Sequence, residues 1–171
     1  MIILFSKRNS RTEKEIIEIL TSFGGNYISD KVILKNKEIF TLVSKYKKTT
    51  LNLNCGIALF LSDTNHFSGQ EFSKGMVGIC EYDNSNALSI FQKNEIPIIS
   101  CGMNPKSTIT LSSVDKEKVT VSLQRIISDI NGSEIEPFEF IINLKSDYSL
   151  FSVMASAAIL LIYGITPNEF Q

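Results

Sequence analysis

Histidine is nearly missing from this chain: His66 is its only one. A single imidazole rules out zinc sites built from several histidines. Nucleophilic catalysis needs a serine or cysteine beside a base, and nothing in the sequence brings His66 to Cys80 or Cys101. Cysteine is scarce too. Cys55, Cys80 and Cys101 each lie in an apolar run, their spacing fits no CxxC or zinc pattern, and an odd count argues against a disulfide framework. They read as buried, reduced thiols of a cytosolic protein. None of the nine glycines begins a phosphate loop. Gly69 to Gly75 has the wrong spacing and no following Lys-Ser/Thr, and there is no GxGxxG. No cofactor is implied.

Neither sign of charge prevails: 17 Lys and Arg face 18 Asp and Glu, and the pI is near 5.9. A nucleic-acid face is not expected. The densest basic spot, Lys45-Tyr46-Lys47-Lys48, reads as a solvated strand end or turn. Long apolar runs are absent as well. The longest, Leu150 to Tyr163, has fourteen residues interrupted by Ser152 and Ser156, too short to cross a bilayer and suited to a buried helix. Met1 to Phe5 has no basic segment before it and meets Ser6-Lys7-Arg8, so no signal peptide is expected. These features point to a soluble, cytoplasmic protein without a membrane partner.

What is present is a core. With 43% apolar and 20% charged residues, the chain is expected to form one α/β domain over 1–171. The clearest stretch is Val77 to Pro105. The apolar run Val77 to Cys80, the capping residues Asp83-Asn84-Ser85-Asn86, the helical face Ala87, Leu88, Ile90 and Phe91, and the run Ile96 to Cys101 form a βαβ unit. Such a unit builds a parallel sheet flanked by helices. Ile2 to Phe5 reads as a first buried strand. The helix after it is capped by Asn9, Ser10 or Thr12, carries Glu13 and Glu15 in its first turn, and stops at Gly24-Gly25. Tyr27 to Leu34 and Glu38 to Tyr46 look like an antiparallel edge pair around Lys35-Asn36-Lys37. Cys55 to Leu61 suits a central strand.

From Ser107 the pattern becomes a small antiparallel three-stranded β-meander (106–145). It comprises Thr108–Ser113, Val119–Ile127 and Ile135–Leu144, with a hairpin signal at Asn131-Gly132 and Pro137 placing a bulge or edge in the last strand. Ser146 or Asp147 would cap the C-terminal helix, which Gly164 ends.

Three loops are site-like. Lys7, Arg8 and Asn9 follow the first strand, at the carboxyl edge where open α/β sheets gather ligands. Asp63 and His66 lie in a polar loop after Leu61. Asn84, Ser85 and Asn86 open a helix whose free amides favour an anion. Solvated loops and ordinary capping explain the same residues.

The order from Val77 to Phe170 resembles the later part of the central domain of Mur ligases, the ATP-dependent amide-forming enzymes of peptidoglycan synthesis. The pieces that carry the resemblance are Tyr82-Asp83-Asn84, Ser100-Cys101-Gly102, Phe138-Glu139-Phe140, and Met154-Ala155-Ser156-Ala157-Ala158 with Gly164-Ile165. Asp63-Thr64-Asn65-His66 falls at the family's N-x-x-x-D-H loop. The family's phosphate loop has no counterpart, and Lys145-Ser146-Asp147-Tyr148 replaces its signature before the Ala-rich helix. The chain also ends where the C-terminal amino-acid-binding domain would begin. The resemblance therefore implies a shortened, non-catalytic Mur-ligase-like module that binds a partner protein or a cell-wall-related precursor. The alternative is a small enzyme or nucleotide- or anion-binding protein using the carboxyl edge. The strands between Tyr27 and Tyr46 would also suit homodimer formation.

Overall fold

The structure is a computed structural model describing residues 1–8, 10–37, 39–61 and 65–170, without the side chains of Asn65 and Glu169. Its strands are β1 (Ile2–Phe5), β2 (Asn26–Ile28), β3 (Ile33–Leu34), β4 (Thr41–Lys45), β5 (Gly56–Phe60), β6 (Met76–Glu81), β7 (Ile98–Cys101), β8 (Ile109–Val114), β9 (Lys118–Leu123), β10 (Ile127–Ser128), β11 (Glu134–Ile135), β12 (Phe138–Leu144) and β13 (Glu169–Phe170). The helices are α1 (Arg11–Ser22), α2 (Ser85–Lys93) and α3 (Leu150–Ile162), with a 3-10 turn at Asn65–Phe67.

Among the described residues eleven strands form one sheet in the order β13-β12-β9-β8-β7-β6-β5-β1-β4-β2-β3. The run β2, β4, β1, β5, β6, β7 and β8 is parallel throughout, so those strands share one carboxyl edge. The antiparallel meander β8-β9-β12 is present as expected, but β8 also pairs with β7, so it continues the main sheet. The hairpin at Asn131-Gly132 joins β10 to β11 in a separate two-stranded sheet. The ladder irregularity lies between Leu111 and Ser113 of β8, whereas Pro137 precedes β12.

Alternation along the central strands feeds two cores, because successive side chains of a strand point to opposite faces. Ile2 and Leu4 of β1, with Ile57 and Leu59 of β5, join the core under α1 and α3. Ile3, Phe5, Ala58 and Phe60 join the core under α2. A helix apolar all round must be enclosed, and α3 is buried from Phe151 to Ile162. On the α2 side, Phe5 stacks on Phe60 with centroids 4.5 Å apart, and Phe67 meets Phe5 edge-on at 5.0 Å.

Three expectations change. The segment 27–46 is not a two-stranded antiparallel edge: the reversal falls at Ser29–Val32, where Ser29 Oγ accepts from the amides of Lys31 and Val32. β2 then pairs antiparallel with the short β3 but parallel with β4. α3 is capped by Ser149, whose Oγ accepts from Ser152 N at 3.3 Å, instead of by Ser146 or Asp147. Cys55 is exposed, while Cys80 and Cys101 are buried. Cys55 directly precedes Gly56, which opens β5 at the strand's amino end, and it belongs to neither core.

Helix α2 lies close to the sheet because Gly78 of β6 has no side chain. A Cβ there would stand 2.6 Å from the Phe91 ring. Gly78→Ala must therefore push α2 outward and should cost about 2 kcal/mol in urea unfolding, as overpacked cores do. An unchanged midpoint would show that Phe91 yields freely. Burial raises the Cys80 thiol to about 12 and holds Cys101 well above the ordinary range. Native protein should therefore titrate one fast thiol with a disulfide reagent, Cys55, and three after denaturation.

Candidate functional site at the carboxyl edge

The strand order reverses at β1: α1 leads toward β2 and β4 on one side, while β5, β6 and β7 extend on the other. In open α/β sheets the crevice at such a reversal is the usual ligand site. Lys7 and Arg8 follow β1 and His66 follows β5, so two of the three loops singled out from the sequence flank it. Asn9 and Asp63 lie outside the described residues. Asn84, Ser85 and Asn86 follow β6, two strands from β1 and therefore about 10 Å along the edge.

Among the described residues, Arg8 and the turn before α2 border different cavities. Arg8 belongs to a cavity of about 410 Å³ over the ends of β1, β2 and β4, bounded also by Asp30, Lys45, Tyr46, Lys47 and Lys48. Its guanidinium pairs with Asp30 and lies over the Tyr46 ring, 5.1 Å from the centroid. Burial foremost, then the Tyr27 hydroxyl, pushes the Tyr46 phenol well above its ordinary range. The His66 ring packs on Phe67 with centroids 4.1 Å apart. Asn84 caps α2, its side-chain oxygen accepting from Ala87 N at 3.0 Å, and Ser85 and Asn86 begin that helix. Lys7 is exposed.

A second cavity of about 410 Å³ opens where β6 and β7 end beside α3, between Glu81, Asp83, Cys101, Asn104 and Met154. Burial, then the Asp83 charge, raises the Glu81 carboxyl. Among the described residues no group of three or more His, Cys, Asp or Glu side chains could hold a metal ion.

Lys45, Lys47 and Lys48 were read from the sequence as a solvated strand end or turn, and β4 does end at Lys45 with Lys47 and Lys48 exposed beyond it. They reach the edge cavity because β4 runs parallel to β1, which puts its carboxyl end beside Arg8. An antiparallel reading of that strand sends the lysines to the opposite edge, so strand direction was the missing signal.

The acids of α1 were also more than dipole partners. Glu13 is 3% exposed and accepts from Ser44 Oγ at 2.5 Å; Ser44 in turn meets Tyr27 OH at 3.1 Å. Glu15 is 7% exposed and crosses to α3. It accepts from Ser149 N at 3.0 Å and Ser152 Oγ at 2.6 Å, while its other oxygen takes Arg11 Nε at 2.6 Å. One carboxylate thus occupies the amino end of α3, where free amides would otherwise draw an anion.

Burial raises the Glu15 carboxyl, but the bonds from Ser152, Ser149 and Arg11 together outweigh it, and the net shift is downward. A lowered folded value means that the contribution to stability is complete above the ordinary value of 4.5 and is lost as pH falls below it. Glu15→Gln should therefore flatten the fall of unfolding free energy with pH below 4.5. Glu15→Ala at neutral pH should cost about 3 kcal/mol, because it strands buried donors. Equal acid slopes for wild type and Glu15→Gln would disprove the role of this carboxylate.

No family model matches the chain, and no curated protein matches it. Among solved structures it is similar to the UDP-N-acetylmuramate:L-alanyl-gamma-D-glutamyl-meso-diaminopimelate ligase (MPL) from Neisseria meningitides, with a TM-score of 0.56 and 9% identity over 96% of this chain. The chain spans 61% of that protein's solved chain. The likeness is one of architecture: the chain has a Mur-ligase-like α/β fold.

Proposed function

We propose that the protein is a non-catalytic binding module on a Mur-ligase-like fold, which holds the anionic part of a cell-wall-related precursor in the cavity beside Arg8. The observation that carries this reading is the charge of that cavity. Arg8, Lys45, Lys47 and Lys48 converge on it, and its one acid, Asp30, is already paired with Arg8. No described ion pair engages Lys45, Lys47 or Lys48. The Arg8 fork and three ammonium groups suit a phosphate or carboxylate. The similar ligase acts on UDP-N-acetylmuramate, which carries both kinds of group.

The non-catalytic part rests on the helix ends. Glu13 stands in the first turn of α1, and Glu15, just beyond that turn, fills the amino end of α3. A nucleotide phosphate approaching either terminus would meet a fixed negative charge instead of free amides.

Calorimetry and thermal melting with UDP-N-acetylmuramate, inorganic pyrophosphate and magnesium ATP separate the possibilities. A precursor at a hundredfold excess over Kd should stabilise the fold by about 2.7 kcal/mol. Replacing Lys45, Lys47 and Lys48 by serine should weaken binding at least about tenfold, and added salt should weaken it further. No binding, or binding indifferent to the three lysines, would refute the anion site. Turnover of ATP would refute the non-catalytic reading.

A further inference from the structure

We infer that Asp30 is a built-in competitor for the anion, holding the Arg8 guanidinium until a phosphate-bearing ligand displaces it, a step that rests on the anion-binding reading of the same cavity. Arg8 meets two side chains among the described residues. Its guanidinium lies over the Tyr46 ring, 5.1 Å from the centroid, and its Nη2 meets Asp30 Oδ2. Both partners border the cavity that Lys45, Lys47 and Lys48 also line. The ring carries no charge and stays beneath Arg8 when an anion arrives. The carboxylate stands where that anion would sit.

The fold sets Asp30 in this place. Ser29 N donates to Val32 O at 2.8 Å, while Ser29 Oγ accepts from Val32 N at 3.0 Å and Lys31 N at 3.2 Å. These bonds close the turn between β2 and β3 with Asp30 at its tip. The base of the hairpin is tied as well. Asn26 Oδ1 accepts from Asn36 N at 2.6 Å, and Asn36 Nδ2 donates to Thr21 O at 2.7 Å. A carboxylate on a closed turn has little backbone entropy left to lose when it pairs, unlike one on a free loop.

The pair is nevertheless easy to open. One guanidinium nitrogen meets one carboxylate oxygen, and the two side chains are 54% and 46% exposed. A one-point ion pair this open to water is weak. A phosphate or pyrophosphate offers two oxygens to the guanidinium fork, and its remaining charge faces Lys45, Lys47 and Lys48. Such a ligand therefore takes Arg8, and the Asp30 side chain turns into water. The site then selects by an opposing group as well as by attraction.

The sign of one substitution separates a competitor from a group that merely positions Arg8. A positioning carboxylate makes Asp30→Asn bind more weakly, whereas a competitor makes it bind more tightly. Calorimetry of the full chain with inorganic pyrophosphate should give Asp30→Asn a Kd at least about threefold below wild type. Asp30→Glu keeps the carboxylate and should stay within about twofold of wild type. Glu71→Gln makes the same change of net charge in the adjoining cavity, which shares Lys48 but not Arg8, and should tighten binding less than about twofold. With Arg8→Gln already present, Asp30→Asn should do no more than Glu71→Gln does. In wild type, the NMR shift of the Asp30 carboxylate carbon should move saturably with pyrophosphate toward its value in Arg8→Gln. That titration carries the test if the asparagine variant misfolds.

An Asp30→Asn Kd equal to or above that of wild type, a gain matched by Glu71→Gln, or a gain that survives Arg8→Gln would each overturn the competitor. So would an Asp30 carbon indifferent to bound pyrophosphate. The anion site itself stands in those cases if serine at the three lysines still weakens wild-type binding. Pyrophosphate bound by neither wild type nor Asp30→Asn would overturn both readings, whereas binding by Asp30→Asn alone would support the competitor.

Discussion

A carboxylate held between two helices sets the arrangement of one whole face of this sheet. Glu15 leaves α1 and accepts from the backbone and hydroxyl groups that open α3. A buried carboxylate is costly unless its oxygens are satisfied, and here Ser149, Ser152 and Arg11 satisfy them. α3 contributes an apolar surface on every side, so its hydrophobicity alone favours no one face toward the sheet. The polar contact supplies the missing direction. Arg11 adds a second anchor, donating to the Asp147 carbonyl at 2.7 Å just before α3 begins.

The same geometry governs electrostatics at the carboxyl edge. Carboxylates cluster at the amino ends of α1 and α3, whereas cations gather over β1, β2 and β4. A further negative charge is therefore disfavoured at the helix termini, where nucleotide phosphates dock in related architectures. Tyr46 separates the two zones. Its ring supports Arg8, while its neighbours Tyr27 and Ser44 lead back to Glu13.

On the opposite face the fit is steric. Five phenylalanines, Phe5, Phe60, Phe67, Phe72 and Phe91, pack mainly edge-to-face, a geometry that aromatic quadrupoles prefer. Phe67 reaches this cluster from the 3-10 turn after β5, so the loop carrying His66 is anchored by its neighbour. The Gly78 gap admits Phe91 at the centre of the unit between β6 and β7.

Much of this was legible in the residues. Short apolar runs separated by capping side chains determined β1, β5, β6, α2 and β7, because burial on both faces demands continuous apolar strands and helix starts demand local acceptors. The meander followed from its alternation, and α3 from an apolar stretch too long for a strand. Direction and distance were not legible. Whether β4 runs parallel or antiparallel to β2 depends on which strand it meets, and that alone carries Lys45 to Lys48 to the edge beside Arg8. Glu15 looked like a first-turn acid because its partners on α3 lie more than 130 positions away. Local composition determined the elements; only tertiary packing decided which charges meet, since strand direction and helix contacts are long-range properties of the assembled sheet.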